Sequence, residues 1–335
     1  MPRGIDLAVA GATGLVGETV LRILRERKFP LGTLHVLASG AGERVTYDGR
    51  DLRVHALDEF DFDGVPLAIF AVSQHAAAEH APRAAAAGCV VVDNSSQFRY
   101  DADVPLVVPE VNAAALAGYR QRNLVANPNC STIQLVMALK PIHDAVGIER
   151  VHVATYQSAS GGGRRLMDTL AGQTAQLMNG RPLDLAPGFA QIAFNVVPHI
   201  DDFEPNGYTR EEMKIVRETR KILAEPELPV HATAVRVPVF FGHSEAVHIE
   251  TRERMDVADV RALLAKSPGL RVVDAPGSYP TAIDAASQDA VLIGRIREDI
   301  SHPRGLALWI VADNVRKGAA TNSVQIAESL VKDYL

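Results

Sequence analysis

Two cysteines stand in the sequence, and their settings separate them. Cys130 follows the turn-forming run Asn127-Pro128-Asn129 and opens CSTIQLVMALKPI, which reads as a helix capped by Asn129 or Ser131. A helix N-terminus lowers a thiol pKa, so Cys130 is the candidate thiolate nucleophile, and the same N–H groups can hold an oxyanion. Cys89 sits in the all-apolar run CVVVD and reads as a small buried hydrophobe. A thiolate that forms and breaks acyl bonds needs a proton carrier working near neutral pH. His243, after the apolar run RVPVFFG that reads as a strand, is a candidate for that role. The plain alternatives are a buried structural thiol and an ordinary half-buried imidazole. Neither cysteine has a partner at zinc-ligand spacing and the eleven histidines are scattered, so no metal site is expected.

A second motif could hold a nucleotide. IDLAVAGATGLVG places a strand immediately before Gly11, Gly14 and Gly17, and ETVLRILRER continues as an amphipathic helix. Glycines there permit a tight turn and close backbone approach, while the helix N-terminus offers N–H groups to a pyrophosphate. The loop residues Gly11, Thr13, Gly14, Leu15, Val16 and Gly17 are therefore expected to bind a dinucleotide. The second strand ends in LASGAGER without the carboxylate that commonly meets the ribose of NAD. Ser39 at its tip and Arg44 suit a 2′-phosphate, although Glu43 adjoins Arg44, and the reading leans to NADP over NAD.

These residues need a frame to position them. The runs IDLAVA, LHVLAS, LAIFAV, CVVVDN and LVVPEV are short and branched, and they alternate with helical or loop stretches. That rhythm predicts an α/β fold opening with a Rossmann-like, doubly wound domain. From Val151 the strand candidates lengthen to VHVATYQSAS, VHATAVRVPVFF, EAVHIETRER, AVLIGRIRE and LALWIVADN. They predict a second, α+β domain with a largely antiparallel or mixed sheet. TNSVQIAESLVKDYL reads as a last helix returning to the first domain, with Thr321 or Asn322 near its start. The expected division is 1–128, completed by 315–335, for the dinucleotide domain and 129–314 for the second. At 335 residues, two domains are the natural expectation. A net charge of −6 gives no basic footprint for nucleic acid, and no apolar run approaches a membrane span. The opening residues lack the pattern of a secretory signal, so a cytoplasmic location is expected.

Taken together, NPNCST, TYQSASGGGR, TREEMK, RVPVFFGHSEAV and DNVRKGAATNS resemble, in order and spacing, the aspartate-semialdehyde dehydrogenase family across essentially the whole chain. The resemblance implies NADPH-dependent reductive dephosphorylation of L-β-aspartyl phosphate to L-aspartate-β-semialdehyde through a cysteine thioester. That reaction serves synthesis of the aspartate-derived amino acids lysine (with diaminopimelate), threonine and methionine. It further implies Cys130 as nucleophile, His243 as acid/base and Gln157 as the residue orienting the reacting group. Arg99 and Lys214 would bind phosphate, Arg236 the α-carboxylate and Glu211 the α-ammonium, with Asn129 also at the substrate. Gly162 and Asn314 would join Ser39 and the glycine loop at the cofactor, and the protein would be a homodimer paired through the second domain, which is then the catalytic and dimerisation domain. On sequence alone Glu211 and Lys214 also fit an exposed helical ion pair. The segment ASGAGER is shorter than its counterpart in NADP-using members.

Two other readings compete. N-acetyl-γ-glutamyl-phosphate reductase performs the same chemistry on a substrate whose acetylated nitrogen carries no charge, which would leave Glu211 without its counter-ion. A non-catalytic nucleotide-binding relative would be free to lose its nucleophile, whereas here Cys130, Gln157, Arg236 and His243 occur together.

Overall fold

Short branched strands buried on both faces need helices above and below them, and the first part of the chain is built that way. The computed structural model describes residues 4–185 and 190–335. It separates into two compact units, Met1–Asn129 with Gly318–Leu335, and Cys130–Lys317.

In the first unit the chain runs β1 (Ile5–Ala10), α1 (Leu15–Glu26), β2 (Leu31–Ala38), the hairpin β3 (Arg44–Tyr47) and β4 (Arg50–Arg53), and β5 (His55–Ala56). It continues as β6 (Leu67–Phe70), α2 (Gln74–Ala86), β7 (Val90–Asp93), α3 (Pro109–Asn112) and β8 (Leu124–Ala126). Six of these strands form one sheet in the order β5-β2-β1-β6-β7-β8, with every neighbouring pair parallel. This is the doubly wound order, whose reversal at β1 leaves a crevice beyond the strands' carboxyl ends. One expectation fails here: LVVPEV is not a strand. Leu106 makes a single bridge to Ala126, and Pro109 then starts α3. The Asn112 side chain accepts from the Val108 N–H and donates to the Leu106 carbonyl, taking over the hydrogen bonds that a ladder would have supplied. The sixth strand is β8.

The second unit contains α4 (Cys130–Val146), β9 (Ile148–Gln157), α5 (Gly163–Met178), α6 (Arg210–Leu223), β10 (Val230–Arg236) and β11 (His243–Thr251). It continues as α7 (Val257–Lys266), β12 (Leu270–Val272), α8 (Ala282–Ala285), β13 (Val291–Glu298) and β14 (Gly305–Ala312). Its sheet runs β10-β9-β11-β14-β13-β12 and is mixed, parallel at β10/β9 and β12/β13 and antiparallel between. α4 packs on β9, β11, β13 and β14, flanked by α6 and α7. RVPVFFG does not extend as a strand: β10 stops at Arg236, before a proline that cannot donate to a ladder. A turn through Gly242, whose φ is +90°, starts β11 afresh at His243. His243 thus opens a strand instead of trailing one.

The chain returns to the first unit with α9 (Thr321–Asp333), which packs on α1, α3, β6 and β7. Neither Thr321 nor Asn322 caps it. Residues 316–320 already wind as a π turn, which puts Ala320 at the N-cap and frees Asn322 to donate to Val107 O at 2.9 Å and Asn127 Oδ1 at 2.7 Å.

Candidate active site

Cys130 is the first residue of α4, half-buried, at the end of the helix where unpaired N–H groups collect. Gln157 closes β9 and is fully enclosed. Its Nε2 donates to Ser131 Oγ at 2.7 Å and to Glu211 Oε1 at 3.0 Å, while its Oε1 has no partner. Gln157 therefore ties the first turn of the cysteine's helix to α6 and keeps one acceptor available.

His243 is completely buried. The main-chain N–H of Ser158 donates to its Nδ1 at 3.2 Å, and because that hydrogen cannot move, Nδ1 must accept. The ring proton of the neutral imidazole then sits on Nε2, which has no hydrogen-bond partner. Burial, reinforced by the nearby Arg236 guanidinium, pulls the imidazole pKa down to about 3, with Glu211 opposing. At neutral pH His243 is an uncharged donor held ready at Nε2.

α6 begins with a capping box: Thr209 Oγ1 accepts from the Glu212 N–H, and Glu212 returns the bond to the Thr209 N–H. The box fixes the helix start, so Glu211 and Lys214 share the face turned toward Gln157. Lys214 Nζ lies 3.1 Å from Glu211 Oε2 and 2.8 Å from Asp201 Oδ2. Burial works against its charge, but the two carboxylates outweigh it and hold the ammonium above its ordinary pKa. Arg236 ends β10 and donates through Nη1 to Ser158 O at 2.7 Å. Burial lowers its pKa, countered by Glu211 and by the thiol of Cys130, whose field it feels. Within the second unit Cys130 and His243 are thus linked electrostatically to Arg236, and Arg236, His243, Gln157 and Lys214 to Glu211. In the pair Glu211–Lys214 the carboxylate is buried and the ammonium half-buried, unlike the exposed pair that helical spacing alone would allow.

Asn314 and the glycines behave differently from a simple cofactor contact. Asn314 Oδ1 accepts from Ser158 Oγ, Ser160 Oγ and the Gly242 N–H, which makes it the clasp joining the loops on either side of His243. At Gly162 a β-carbon would lie 2.5 Å from Leu166, a packing reason for glycine. At Gly161 it would lie 2.9 Å from Arg236 Nη1 and 3.2 Å from His243 Nε2, so only glycine leaves room over the imidazole.

The first unit holds the nucleotide motif. Gly11 has φ +78°, and a β-carbon there would meet Ala71 O at 2.1 Å; at Gly17 it would meet Gly11 O at 2.0 Å. The loop Gly11–Gly14 delivers the chain to α1, whose N-cap Gly14 offers no side-chain acceptor to the first N–H groups. Those groups are left for an anion, the fit that a dinucleotide pyrophosphate requires. Thr13, Leu15 and Val16 flank that turn, half-buried. Ser39 is exposed just past the carboxyl end of β2. Arg99 is buried beyond the carboxyl end of β7, where its Nη2 donates to Asn94 O at 2.8 Å. Burial raises the Asp93 carboxyl pKa, with Ser95 and Arg99 opposing. Asn129, also buried, is the last residue of this unit.

Sequence reasoning offered Ser131 only as a helix cap and passed over Ser158, Ser160 and Asp201. The serines stood inside quoted motifs, but their partners are 26 to 156 positions away, so no local spacing marks them. Asp201 is found only through Lys214.

Comparison with known proteins agrees with this geometry. Residues 6–119 match the family model of the semialdehyde dehydrogenase NAD binding domain, and residues 139–317 that of the semialdehyde dehydrogenase dimerisation domain. The aspartate-semialdehyde dehydrogenase of Legionella pneumophila is 56% identical over 340 residues, spanning 100% of this chain and 98% of that protein. Crystal structures of aspartate semialdehyde dehydrogenase II from Vibrio cholerae, one of them complexed with ASA, superpose at a TM-score of 0.97 with 54% identity over 99% of this chain and 100% of theirs. The Candida albicans aspartate semialdehyde dehydrogenase with NADP superposes at 0.78 with 25% identity over 98% of each chain. With both halves of the chain matched and relatives above half identity along its whole length, the chain belongs to the aspartate-semialdehyde dehydrogenase family, oxidoreductases acting on an aldehyde group.

Proposed function

We propose that the protein converts L-β-aspartyl phosphate, with NADPH, into L-aspartate-β-semialdehyde and phosphate through a thioester on Cys130. The observation that carries this reading is Gln157 Nε2, bonded at once to Ser131 beside Cys130 and to Glu211, which sets an acidic residue next to the nucleophile's helix. A carboxylate there fits a substrate ammonium and has no counter-ion in an N-acetylated substrate.

The Cys130 sulfur attacks the acyl carbon, the C–S bond forms and the C–O bond to phosphate breaks, the phosphate leaving with the electron pair. NADPH, when bound, supplies the hydride that reduces the thioester. The oxyanion of the resulting hemithioacetal accepts a hydrogen bond from the Nε2–H of neutral His243 until its electron pair re-forms the C=O and the C–S bond breaks, releasing aldehyde and thiolate. Because the neutral imidazole donates a hydrogen bond and keeps its proton, no charge forms on the buried ring. Gln157, through its free Oε1, orients the reacting group. Arg236 suits a carboxylate as a fork donor, Glu211 the ammonium, and Lys214 and Arg99 the phosphate. Asn129 is assigned to the substrate.

Residues of the loop Gly11–Gly17 are assigned to the pyrophosphate, Ser39 to the 2′-phosphate of NADP, and Gly162 and Asn314 to the cofactor's surroundings. Support comes from the bare N-terminus of α1, from the absence of a carboxylate at the tip of β2 and from the NADP in the Candida relative. The dimerisation domain match supports a homodimer, and a cytoplasmic location fits the small-molecule chemistry. Among the described residues no helix is long and apolar enough to cross a membrane. The test is substrate choice: turnover of aspartate semialdehyde but not of N-acetylglutamate semialdehyde supports this assignment, and the reverse overturns it.

A further inference from the structure

β11 carries a carboxyl group that this mechanism does not use. Glu245 lies two residues after His243, on the face turned toward α4, and none of it reaches solvent. Neither of its oxygens finds a donor of hydrogen-bond geometry, although the side-chain amide of Gln134 lies against it. Thr155 of β9 stands in register with Glu245, is equally buried, and its hydroxyl has no partner. Gln134, one helical turn beyond Cys130, donates through Nε2 to the main-chain oxygen of His243 at 3.4 Å, while its Oε1 has no partner.

The direction of the amide follows from its first contact. A main-chain oxygen only accepts, so Nε2 must face His243, and Oε1 is left as a buried acceptor. Two carboxyl oxygens and one amide oxygen are then gathered with two hydrogens at hand, that of the Thr155 hydroxyl and the second on Gln134 Nε2, which leans on the Glu245 carboxyl. Buried polar atoms are nearly always paired, so the group is short of one proton. A proton on Glu245 supplies the missing hydrogen: its O–H can donate to Gln134 Oε1, which no donor among the described residues serves. Among the described residues no cation offers an alternative: those opposite Glu245 on the neighbouring strands are Thr155 and Ile310, and Gln134 faces it from α4. Burial accordingly drives the Glu245 carboxyl far above the usual range, with only Gln134 opposing.

We propose that Glu245 is a positioning residue for the reaction, a neutral carboxylic acid that locks the Gln134 amide and so ties the main chain of His243 to the helix that opens with Cys130. The inference rests on the catalytic reading of Cys130 and His243. A lone glutamine contact at 3.4 Å leaves the amide free to turn; a second bond at its oxygen fixes the plane and with it the seat of His243.

Infrared difference spectroscopy between the parent protein and E245Q, kinetics of E245Q and E245L, and thermal unfolding across pH test this together. The expected results are a protonated-acid carbonyl band in the parent near neutral pH that vanishes in E245Q, and a stability gap favouring E245Q that widens as pH rises. The sign follows because the native state keeps a proton that the unfolded chain gives up above the ordinary carboxylate pKa. E245L is expected to lose about tenfold or more in kcat with KM little changed, and E245Q, still able to donate, to recover most of it, as misplacement of a catalytic group predicts. Carboxylate bands in place of the acid band, or a folded E245L with the parent's kcat, would overturn the proposal. The band and the unfolding data decide the protonation state even where E245L fails to fold. A parent inactive on aspartate semialdehyde would overturn the catalytic reading and with it the positioning role, whereas an active parent without the acid band would overturn the proposal for Glu245 alone.

Discussion

Replacing Gly161 by alanine adds one carbon to the space above the imidazole, and the structure sets what that carbon does. It would stand 2.9 Å from Arg236 Nη1 and 3.2 Å from His243 Cε1 and Nε2. Comfortable contact starts near 3.5 Å, so Arg236 or His243 must yield by about half an ångström. Neither is loose, since Arg236 Nη1 is bonded to Ser158 O at 2.7 Å and His243 Nδ1 accepts from the Ser158 N–H at 3.2 Å. Gly161 is not among the residues with positive φ, so the alanine backbone fits and the fold should be kept. Displacement of a reacting group by about an ångström lowers rates up to about 100-fold. We therefore expect kcat/KM for phosphate-dependent oxidation of aspartate semialdehyde to fall about 30- to 100-fold, equivalent to about 2–2.7 kcal/mol, with little change in Tm. Steady-state absorbance of the reduced cofactor and a thermal melt on the same sample measure both. A G161A enzyme within about threefold of the parent would refute the claim that His243 Nε2 and Arg236 work in that space.

Other expectations follow from the same geometry. His243 titrates at about 3 in the fold against an ordinary value of 6.5, so between those values the unfolded chain holds the extra proton and stability is lost as pH falls through that window. Lowering pH from 8 to about 5.5 should cost the parent about 1–1.5 kcal/mol more than H243N, read from denaturant melts, and parallel losses would contradict the buried neutral imidazole. Iodoacetamide should label Cys130 quickly at neutral pH and leave Cys89 untouched, because burial pushes the Cys89 thiol up to about 12; mass spectrometry of the peptides gives the order. Glu211→Ala removes a hydrogen-bonded charge beside Gln157 and Lys214 and should raise KM for the semialdehyde about 10- to 100-fold, whereas an unchanged KM would remove Glu211 from the substrate. Ser39→Asp should shift preference from NADP toward NAD by repelling a 2′-phosphate, seen as a reversed ratio of kcat/KM values.

Much of this arrangement could be read along the chain where a residue's role depends on its neighbours in sequence. The glycine loop is such a case, since the positive φ of Gly11 and the closeness of Gly17 to the Gly11 carbonyl arise within the turn itself. Cys130 is another, its setting made by the turn before it and the helix after it. Where tertiary partners decide, local reading failed. LVVPEV has strand composition, but the Asn112 side chain satisfies its backbone and the short LVA run at Leu124–Ala126 takes the place beside β7. RVPVFF has the same look, yet Pro238 ends β10 and the His243 strand is separate. Thr321 and Asn322 look like caps and lie inside the helix, because the π turn before them had already begun the winding. Asn314 was legible only as a resemblance; that it clasps Ser158, Ser160 and Gly242 depends on contacts 72 to 156 positions apart. Glu245 carries no local signal, since an alternating strand gives no hint that its acid faces inward without a cation.

The central claim is that Cys130 carries the acyl group during conversion between aspartyl phosphate and aspartate semialdehyde. Phosphate-dependent oxidation of L-aspartate-β-semialdehyde, followed by reduced-cofactor absorbance with NADP and NAD in parallel and with Cys130→Ala as control, tests it most directly. The account predicts turnover by the parent, faster with NADP, and none by the variant. Turnover that survives in Cys130→Ala, or its absence from the parent with both cofactors, would contradict it.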